Sequence, residues 1–322
     1  MFEAPEPAKP ALCRRRTLRW AAALPLFLPA ASRAARGMGA GAGTAGPPAG
    51  NHATPRPLDT AGFHAACARL ERAHDRRLGL YAIDTGNGRT VGYRAGERFA
   101  FCSTFKALLA GAILARLKAD AGILDRRILY TRHDLVPYSP ITEKHAGGSM
   151  TVADLCAAAL QYSDNTAANL LLHAVGGPAA LTGYARALGN RSFRLDRYEP
   201  ALNSAIPGDP RDTVTPADMA ASLRSLAVGN ALTAGGRERL PEWLLGNTTG
   251  ANRIQAGAPA GWRVGDKTGT GDYGAANDIA IVWAPDRPPI VLAVYTAASA
   301  TAAAADEPLI AAATQLAIGA LG

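Results

Sequence analysis

Residues 262–296, which read WRVGDKTGTGDYGAANDIAIVWAPDRPPIVLAVYT, contain the clearest fold signal in this chain. Three runs rich in apolar and β-branched residues are separated by short turns that contain glycine, proline, aspartate or asparagine. They predict strands over residues 262–268, 275–284 and 289–296. Because connections this short join neighbouring antiparallel strands, the runs predict one antiparallel sheet.

Further strands come before a middle that is mostly helical. Residues 78–84 and 90–93 predict a hairpin around the turn at 85–88 (TGNG). Apolar residues at helical spacing predict helices at 59–74, 104–117, 151–160, 166–175, 178–188, 216–228, 235–245 and 307–321. The N-caps would be Asp59, Thr215 and Asp306. Strands at both ends predict an α/β fold, an antiparallel sheet flanked by helices with an inserted all-α domain.

The N-terminal residues predict an export signal. The basic run Arg14-Arg15-Arg16 precedes the apolar stretch 20–31, and small residues follow, as in a cleaved signal peptide over residues 1–36. The paired arginines resemble a twin-arginine signal, with an ordinary secretory signal as the alternative. The apolar stretch is shorter than the roughly 20 residues that span a bilayer. We therefore expect a periplasmic protein with no stable membrane insertion.

Residues 37–57, rich in glycine, alanine and proline, predict a flexible linker. Gly41, Gly43 and Gly46 have the spacing of a dinucleotide-binding motif, but no strand or helix flanks them, so we reject a nucleotide site. The body then divides into an α/β domain, residues 58–95 and 246–322, and an all-α domain, residues 96–245.

The charge of the whole chain is dominated by its N-terminus. The 322 residues include 34 Lys+Arg and 26 Asp+Glu, and the resulting net charge of +8 would favour binding to nucleic acid. Residues 1–36 contain seven basic and two acidic residues, so cleavage after them leaves a mature protein with a net charge of +3. We therefore expect no nucleic-acid partner. The six histidines form no H-x-H or H-E-x-x-H spacing, so we expect no metal and no inhibition by chelators.

Ser103-Thr104-Phe105-Lys106 is the first candidate catalytic motif. The three-residue offset puts the Ser103 hydroxyl and the Lys106 amine on one helical face, one turn apart. A serine needs a base to become nucleophilic, and a lysine can serve if burial and neighbouring cations lower its pKa. Taken alone, the motif would also fit a helix-start serine and a solvated lysine.

Two further motifs lie at element boundaries. Ser163-Asp164-Asn165 runs into a predicted helix, and its residue types would also suit a simple helix cap. In a catalytic interpretation, Ser163 relays a proton to a leaving nitrogen and Asn165 binds a substrate amide oxygen. Lys267-Thr268-Gly269 ends a strand, where a cation and a hydroxyl project and the glycine lets substrate approach the backbone.

A proline-containing loop carries the fourth candidate. It opens with residues 197–203 (RYEPALN) and closes with 209–213 (DPRDT), and its lack of periodicity suits a compact Ω-type loop. Glu199 is a candidate general base acting through a water molecule that Asn203 would steady. Without the other motifs, an exposed loop of charged residues would be the better interpretation.

Together these motifs make the chain resemble the class A serine β-lactamases. S-x-x-K, S-D-N, the glutamate loop and K-T-G follow one another in this order. The resemblance runs from about Asp59 to the C-terminus and includes residues 138–145 (YSPITEKH) and 163–170 (SDNTAANL). It implies a β-lactamase/transpeptidase-like fold and hydrolysis of the β-lactam ring of antibiotics through a serine acyl-enzyme. It further implies a resistance enzyme that is a monomer and needs no cofactor.

The resemblance also implies roles for individual residues. Ser103 would be the acylated nucleophile, with an oxyanion hole from its own N–H and that of Thr270. Lys106 and Glu199 are the candidate bases for acylation, and Glu199 with its water would hydrolyse the acyl-enzyme. Contacts to substrate are implied for Tyr138, Asn165, Asn203, Arg253, Lys267, Thr268 and Thr270. Arg253 would replace the arginine that many members have at the position of Ala276, and a salt bridge between Arg197 and Asp212 should close the loop.

The cysteines depart from the family pattern. Cys102 and Cys156 each stand where a branch of the family has one half of a disulfide, but the partner positions hold Gly271 and Ala110. We therefore expect free thiols, and the incomplete pairs argue against carbapenem hydrolysis, whereas Thr270 and Arg253 are compatible with a broad substrate range.

Two alternatives share part of this pattern. A penicillin-binding DD-peptidase has the first three motifs but lacks the Glu199 loop. A β-lactam sensor domain would acylate its serine and stop there, without turnover.

Overall fold

The computed structural model describes residues 59–322, so the predicted signal and linker lie outside the described residues. The helices are α1 Thr60–His74, α2 Phe105–Ala115, α3 Val152–Gln161, α4 Asn165–Val175, α5 Gly177–Ala187, α6 Pro216–Ala227, α7 Ala234–Leu245, α8 Ile254–Gly257 and α9 Glu307–Leu321. The strands are β1 Arg77–Asp84, β2 Thr90–Tyr93, β3 Phe99–Ala100, β4 Arg127–Leu129, β5 Ser149–Thr151, β6 Thr213–Val214, β7 Arg263–Thr270, β8 Ala276–Trp283 and β9 Ile290–Ala297. The predicted long elements are all present.

Five strands from the two ends of the described chain form one antiparallel sheet, in the order β2-β1-β9-β8-β7. This topology confirms the predicted fold class. Strand β7 lies at one edge, so every second backbone N–H and C=O along it points away from β8 and is free to meet another group. That edge carries Lys267, Thr268 and Thr270.

Side chains of β8 and β9 alternate between two hydrophobic cores. Ile279 and Ile281 pack with the helices of the middle of the chain, whereas Ala280 and Val282 pack with residues of α1 and α9 on the opposite face. Because both faces of these strands are covered, their sequences are apolar almost without interruption. The division into domains at residues 58–95, 96–245 and 246–322 stays a prediction.

The predicted helix caps are confirmed. The Asp59 carboxylate accepts a hydrogen bond from Gly62 N at 2.7 Å, and the Asp306 carboxylate accepts one from Leu309 N at 3.1 Å. Thr215 caps α6, with Pro216 at the first helical position. Such a cap typically contributes about 1 kcal/mol to stability.

Several short elements were not predicted. Strands β3 and β6 pair with each other, and so do β4 and β5, although the prediction placed no strand between residues 93 and 262. Two or three residues are too few for an alternating pattern to emerge, so only the tertiary contacts define them. The predicted helix at 104–117 is shorter, because Cys102–Thr104 and Arg116–Lys118 form 3₁₀ turns at its two ends. In the described part of the chain, no helix combines the length and apolar character needed to cross a bilayer.

Candidate active site

Ser103 lies where the helix-bearing middle of the chain meets the edge of the sheet. It sits in the 3₁₀ turn before α2, and it lines a cavity of about 470 Å³. Gly269 of β7 packs against this turn, and a Cβ there would come within 2.7 Å of Phe101 O. A glycine is therefore required at position 269 for β7 to approach the turn of Ser103 this closely.

Strained backbone positions surround the same cavity. Cys102, Tyr138 and Ser163 have φ angles of +47°, +65° and +56°, in the left-handed region that side chains other than glycine disfavour. Each such conformation costs of order 1 kcal/mol and persists only where the surrounding structure enforces it. Strain of this kind is common at functional sites.

Ser103, Glu199 and Lys106 meet in a buried cluster. The Ser103 hydroxyl donates to Glu199 Oε1 at 2.8 Å, and Lys106 Nζ lies 3.0 Å from the same oxygen. The side chains of Lys106 and Glu199 are both fully buried. The structure thus brings together the candidate nucleophile and both candidate bases, and the Ser103 hydroxyl donates to the carboxylate.

Lys106 Nζ donates hydrogen bonds in several directions. It contacts Ser163 O at 2.8 Å and Asn165 Oδ1 at 2.7 Å, in addition to Glu199. Burial lowers its pKa, while the charge of Glu199 opposes that shift. Every one of these partners is an acceptor, which is the environment of an ammonium group.

The Ser163 hydroxyl lies between two lysines. Its Oγ accepts a hydrogen bond from Lys267 Nζ at 3.0 Å and lies 3.4 Å from Lys106 Nζ. Burial holds the pKa of Lys267 well below its usual value, and the nearby charge of Lys106 lowers it further. A hydroxyl has two lone pairs and one proton, so a Ser163 that accepts from both lysines keeps its proton for a third group.

Asp164 positions this segment. One carboxylate oxygen caps α4 by accepting from Ala167 N at 2.8 Å, and the other accepts from Ile141 N and Thr142 N at 3.0 and 2.9 Å. The middle residue of S-D-N is therefore a helix cap, as its residue type suggests, and it also fixes the neighbouring loop.

The Ω-type loop is closed by the expected ion pair. Arg197 Nε lies 2.5 Å from Asp212 Oδ2, and Asp212 is fully buried. The other oxygen of Asp212 accepts from the backbone N–H of Asp196 and Arg197. Inside the loop, Asn203 Nδ2 donates to Glu199 Oε2 at 2.5 Å, so the two predicted loop residues are in direct contact.

Asn169 is a site residue that the motif analysis missed. Its Oδ1 accepts from Glu199 N at 3.0 Å and its Nδ2 donates to Glu199 O at 2.9 Å. A sequence signal existed, because Asn165 and Asn169 are four residues apart and thus share one face of α4. That spacing could have identified Asn169 as a second inward-facing amide.

Six of the seven predicted substrate contacts line the cavity, whereas Lys267 is fully buried and is not among the lining residues. The cavity walls include Tyr138, Asn165, Asn203, Arg253, Thr268 and Thr270, together with Thr249, which was not predicted. The Thr249 and Thr268 hydroxyls are 2.5 Å apart. The Asn165 amide is already engaged in this structure, since its Oδ1 accepts from Lys106 and its Nδ2 donates to Pro137 O at 2.9 Å.

Arg253 lines the cavity and contacts the last two residues of β7. Its Nη2 donates to Thr270 Oγ1 at 2.8 Å, and its Nη1 donates to Gly269 O and Asn277 O at 2.9 and 2.8 Å. Glu307, at the start of α9, holds the opposite side of the guanidinium through Arg253 Nε at 3.0 Å. The sequence did not signal Glu307, because it lies 54 residues from its partner.

The cysteines are free thiols, as expected. Cys67, Cys102 and Cys156 are all buried, and burial raises the pKa of Cys67 to about 12. Burial also raises the pKa values of Cys102 and Cys156. No cluster of metal-ligating side chains is present among residues 59–322.

Fold and site together have the features of a serine acyl-transfer enzyme, since a buried carboxylate and a buried lysine meet at the Ser103 hydroxyl. The model of the β-lactamase enzyme family matches residues 63–321. The carbapenem-hydrolysing β-lactamase KPC of Klebsiella oxytoca is 56% identical over 256 residues, covering 79% of this chain and 87% of that protein. β-Lactamase CTX-M-8 of Citrobacter amalonaticus is 54% identical over 228 residues, covering 71% and 78%.

A solved structure agrees with these relatives. The crystal structure of a β-lactamase from Desulfarculus baarsii superposes with a TM-score of 0.81 at 57% identity, covering 82% of this chain and 99% of that one. The chain belongs to the β-lactamase enzyme family, as a class A serine β-lactamase. It is a hydrolase that opens the β-lactam ring of antibiotics and so confers resistance to them.

Proposed function

We propose that Ser103 is the acylated nucleophile and that Glu199 is the base that takes its proton. The observation that carries this proposal is the 2.8 Å hydrogen bond from the Ser103 hydroxyl to Glu199 Oε1. In acylation, Ser103 Oγ bonds to the lactam carbonyl carbon and the C–N bond of the ring breaks. Backbone N–H groups of Ser103 and Thr270 would stabilise the oxyanion, each worth about 3 kcal/mol in the barrier.

The proton can reach the leaving nitrogen through groups already in contact. Glu199 Oε1 is 3.0 Å from Lys106 Nζ, which is 3.4 Å from Ser163 Oγ. Ser163 donates its proton to the lactam nitrogen and is reprotonated by Lys106, which in turn takes the proton that Glu199 received from Ser103. This relay leaves Glu199 as a carboxylate, ready for the second half of the reaction.

In deacylation, Glu199 would remove a proton from a water molecule that attacks the ester carbonyl. Asn203 contacts Glu199 Oε2 and faces the cavity, so it is suited to hold that water beside the carboxylate. The substrate carboxylate would bind to Lys267, Thr268 and Thr270, with Arg253 behind Thr270. Tyr138, whose side chain is exposed at the cavity mouth, would form the wall, and Asn165 would contact the substrate amide.

Mass spectrometry after mixing with a penicillin tests these roles. Wild type should return to its free mass within the mixing time, while Glu199→Ala should retain the mass of one penicillin on the peptide that contains Ser103. Glu238, an exposed glutamate of α7, provides the control, and Glu238→Ala should behave as wild type. A persistent adduct on wild type would indicate a sensor, and turnover in Glu199→Ala would indicate a peptidase-like mechanism without this base.

We propose in addition that the enzyme is exported to the periplasm through residues 1–36 and acts there as a monomer. The basic and apolar runs of the sequence support the export signal. Replacing Arg14, Arg15 and Arg16 by lysine should keep activity in the cytoplasmic fraction if the twin-arginine route is used. Light scattering on the purified periplasmic enzyme measures the oligomeric state directly.

A further inference from the structure

A second cavity lies outside the catalytic site. It has a volume of about 860 Å³, compared with about 470 Å³ for the cavity at Ser103, and the two share no lining residue. Its walls come from the end of α1, the segment between β2 and β3, the end of β9 and loop residues 205–211. We call it the arginine cleft, after the residues Arg72, Arg76, Arg77, Arg94, Arg98 and Arg211 that line it.

The charges of the arginine cleft are not balanced. Three acidic residues, Glu71, Asp75 and Asp209, stand against the six arginines. Glu71 and Asp209 are already paired, with Arg94 and Arg211. The cleft therefore carries an excess of positive charge that its own carboxylates do not neutralise.

Three of the arginines have no carboxylate partner within residues 59–322. Arg98 donates to Ser192 O and Thr213 Oγ1, and Arg76 donates to main-chain oxygens such as Asp75 O. Arg76 Nε is buried and has no acceptor, and Arg72 is exposed. A buried N–H without an acceptor is uncommon, because its lost hydration is not replaced.

Apolar surface lies beside these cations. Ile206, 46% exposed, is one of the few large apolar side chains left in solvent among the described residues, whereas the Phe99 ring is already covered by the Arg77 guanidinium, 4.0 Å from its centroid. Pro207 continues this surface. A small inorganic anion would satisfy the arginines but would leave Ile206 and Pro207 uncovered, so the walls favour a ligand with both an anionic group and an apolar body.

We propose that the arginine cleft binds small organic anions, with a carboxylate or sulfonate held by Arg72, Arg76 and Arg98 and an apolar ring system against Ile206 and Pro207. The site is separate from β-lactam hydrolysis. Its ligand would nevertheless touch the loop that carries Glu199, because residues 205–211 of that loop form one wall.

A matched pair of fluorescent probes tests the proposal. We expect 8-anilinonaphthalene-1-sulfonate to bind wild type at one saturable site, at least tenfold more tightly than the neutral N-phenyl-1-naphthylamine, which has the same rings without the sulfonate. The double variant Arg72→Gln/Arg76→Gln should weaken sulfonate binding at least tenfold. Equal affinity for the two probes, or unchanged binding in the double variant, would overturn the proposal.

Arg69→Gln is the control for a positive charge outside the cleft. Arg69 is exposed on the same helix as Arg72 and does not line the cleft, and its substitution removes one positive charge where the double variant removes two. The sulfonate should therefore bind Arg69→Gln as it binds wild type. Hydrolysis of a chromogenic cephalosporin should be unchanged in all these variants. A loss of binding in Arg69→Gln equal to that in the double variant would show only a dependence on net charge and would overturn the site.

Hydrogen exchange on the wild-type enzyme provides a test that needs no variant. Saturation with the sulfonate should slow amide exchange in residues 205–211. If protection fell only on segments of the catalytic cavity, such as 268–270, or if no segment were protected, the arginine cleft would not be the binding site.

Discussion

Asn169 holds the main chain of Glu199 from both sides, accepting from its N–H at 3.0 Å and donating to its C=O at 2.9 Å. One amide side chain of α4 thus fixes the position and orientation of Glu199, the residue whose carboxylate contacts the Ser103 hydroxyl. In the proposed mechanism, deacylation depends on where the Glu199 carboxylate lies relative to the water and the ester, so this contact would connect the packing of α4 with catalysis.

The first prediction concerns Asn169 itself. Asn169→Ala should lower the free energy of unfolding by about 1–3 kcal/mol, because two main-chain groups lose their partner. It should also slow deacylation at least tenfold, so that the penicillin adduct becomes visible by mass spectrometry. Asn87 makes two comparable amide hydrogen bonds in the β1–β2 turn, far from the site, and Asn87→Ala should lose stability without accumulating adduct. Equal adduct levels in both variants would contradict a positioning role.

The second prediction concerns Arg253 and Thr270. Because Thr270 Oγ1 accepts from Arg253, its own proton is free to be donated to a substrate carboxylate. Arg253→Ala should therefore raise KM by about 10- to 100-fold with a smaller effect on kcat, as expected for a lost contact of about 1.5–3 kcal/mol to a charged group. In a double-mutant cycle with Thr270→Val, the two effects should be strongly non-additive. Additive effects would mean that Arg253 does not act through Thr270.

The third prediction concerns the pH dependence of stability. Asp278 is a fully buried residue of β8, its Oδ1 has no donor, and burial beside Asp266 holds its pKa well above the usual value. The folded protein therefore keeps a proton that the unfolded chain loses above about pH 3.9. Above that pH this group costs stability, by about 1.4 kcal/mol per pH unit until the pKa of the folded state is passed.

Asp278→Asn removes this cost, because the amide is neutral in both states and can still accept from Ile254 N, as Asp278 does at 3.1 Å. We expect the variant to be more stable than wild type at pH 7, and the difference to vanish below about pH 3.9. Urea unfolding at several pH values measures it. A difference that stays constant across this pH range would exclude titration of Asp278 as its cause.

The fourth prediction tests the incomplete disulfide. A Cβ at Gly271 would lie 2.8 Å from Cys102 Sγ, close to the spacing of about 3 Å that an S–S bond of about 2.05 Å imposes between a sulfur and the partner's Cβ. Gly271→Cys should therefore crosslink to Cys102 under oxidising conditions, with a loss of about 2 Da and of both reactive thiols.

The new side chain would also meet Asn203 O at 2.5 Å, so the main chain at Asn203 must shift. Since Asn203 contacts Glu199, the turnover rate should change as well. Gly271→Ser introduces a similar clash without a crosslink, and it separates the effect of the shift from that of the disulfide. In the enzyme without residues 1–36, oxidised, denatured Gly271→Cys should retain only the two titratable thiols of Cys67 and Cys156, and four titratable thiols would refute the geometry.

Local sequence patterns were sufficient to predict the long helices and strands and to identify the motifs. The apolar runs of β8 and β9, the caps at Asp59 and Thr215 and each of the four motifs depend on residues close together in the chain. They did not reveal β3 and β6, whose pairing joins Phe99 to Val214. Nor did they reveal Glu307, which acts on a residue 54 positions away.

The sequence by itself determined the long strands, the helices and which residue types could carry out the chemistry, because periodicity and capping depend on residues within one or two turns of the chain. Only the tertiary structure decided which of these groups touch. Ser103 and Glu199 are 96 residues apart, and Lys106 and Asn165 are 59 apart, yet both pairs form hydrogen bonds shorter than 3 Å. These contacts form because the helical middle of the chain packs against the edge of the sheet. The same packing buries Lys106, Lys267 and Glu199 away from water.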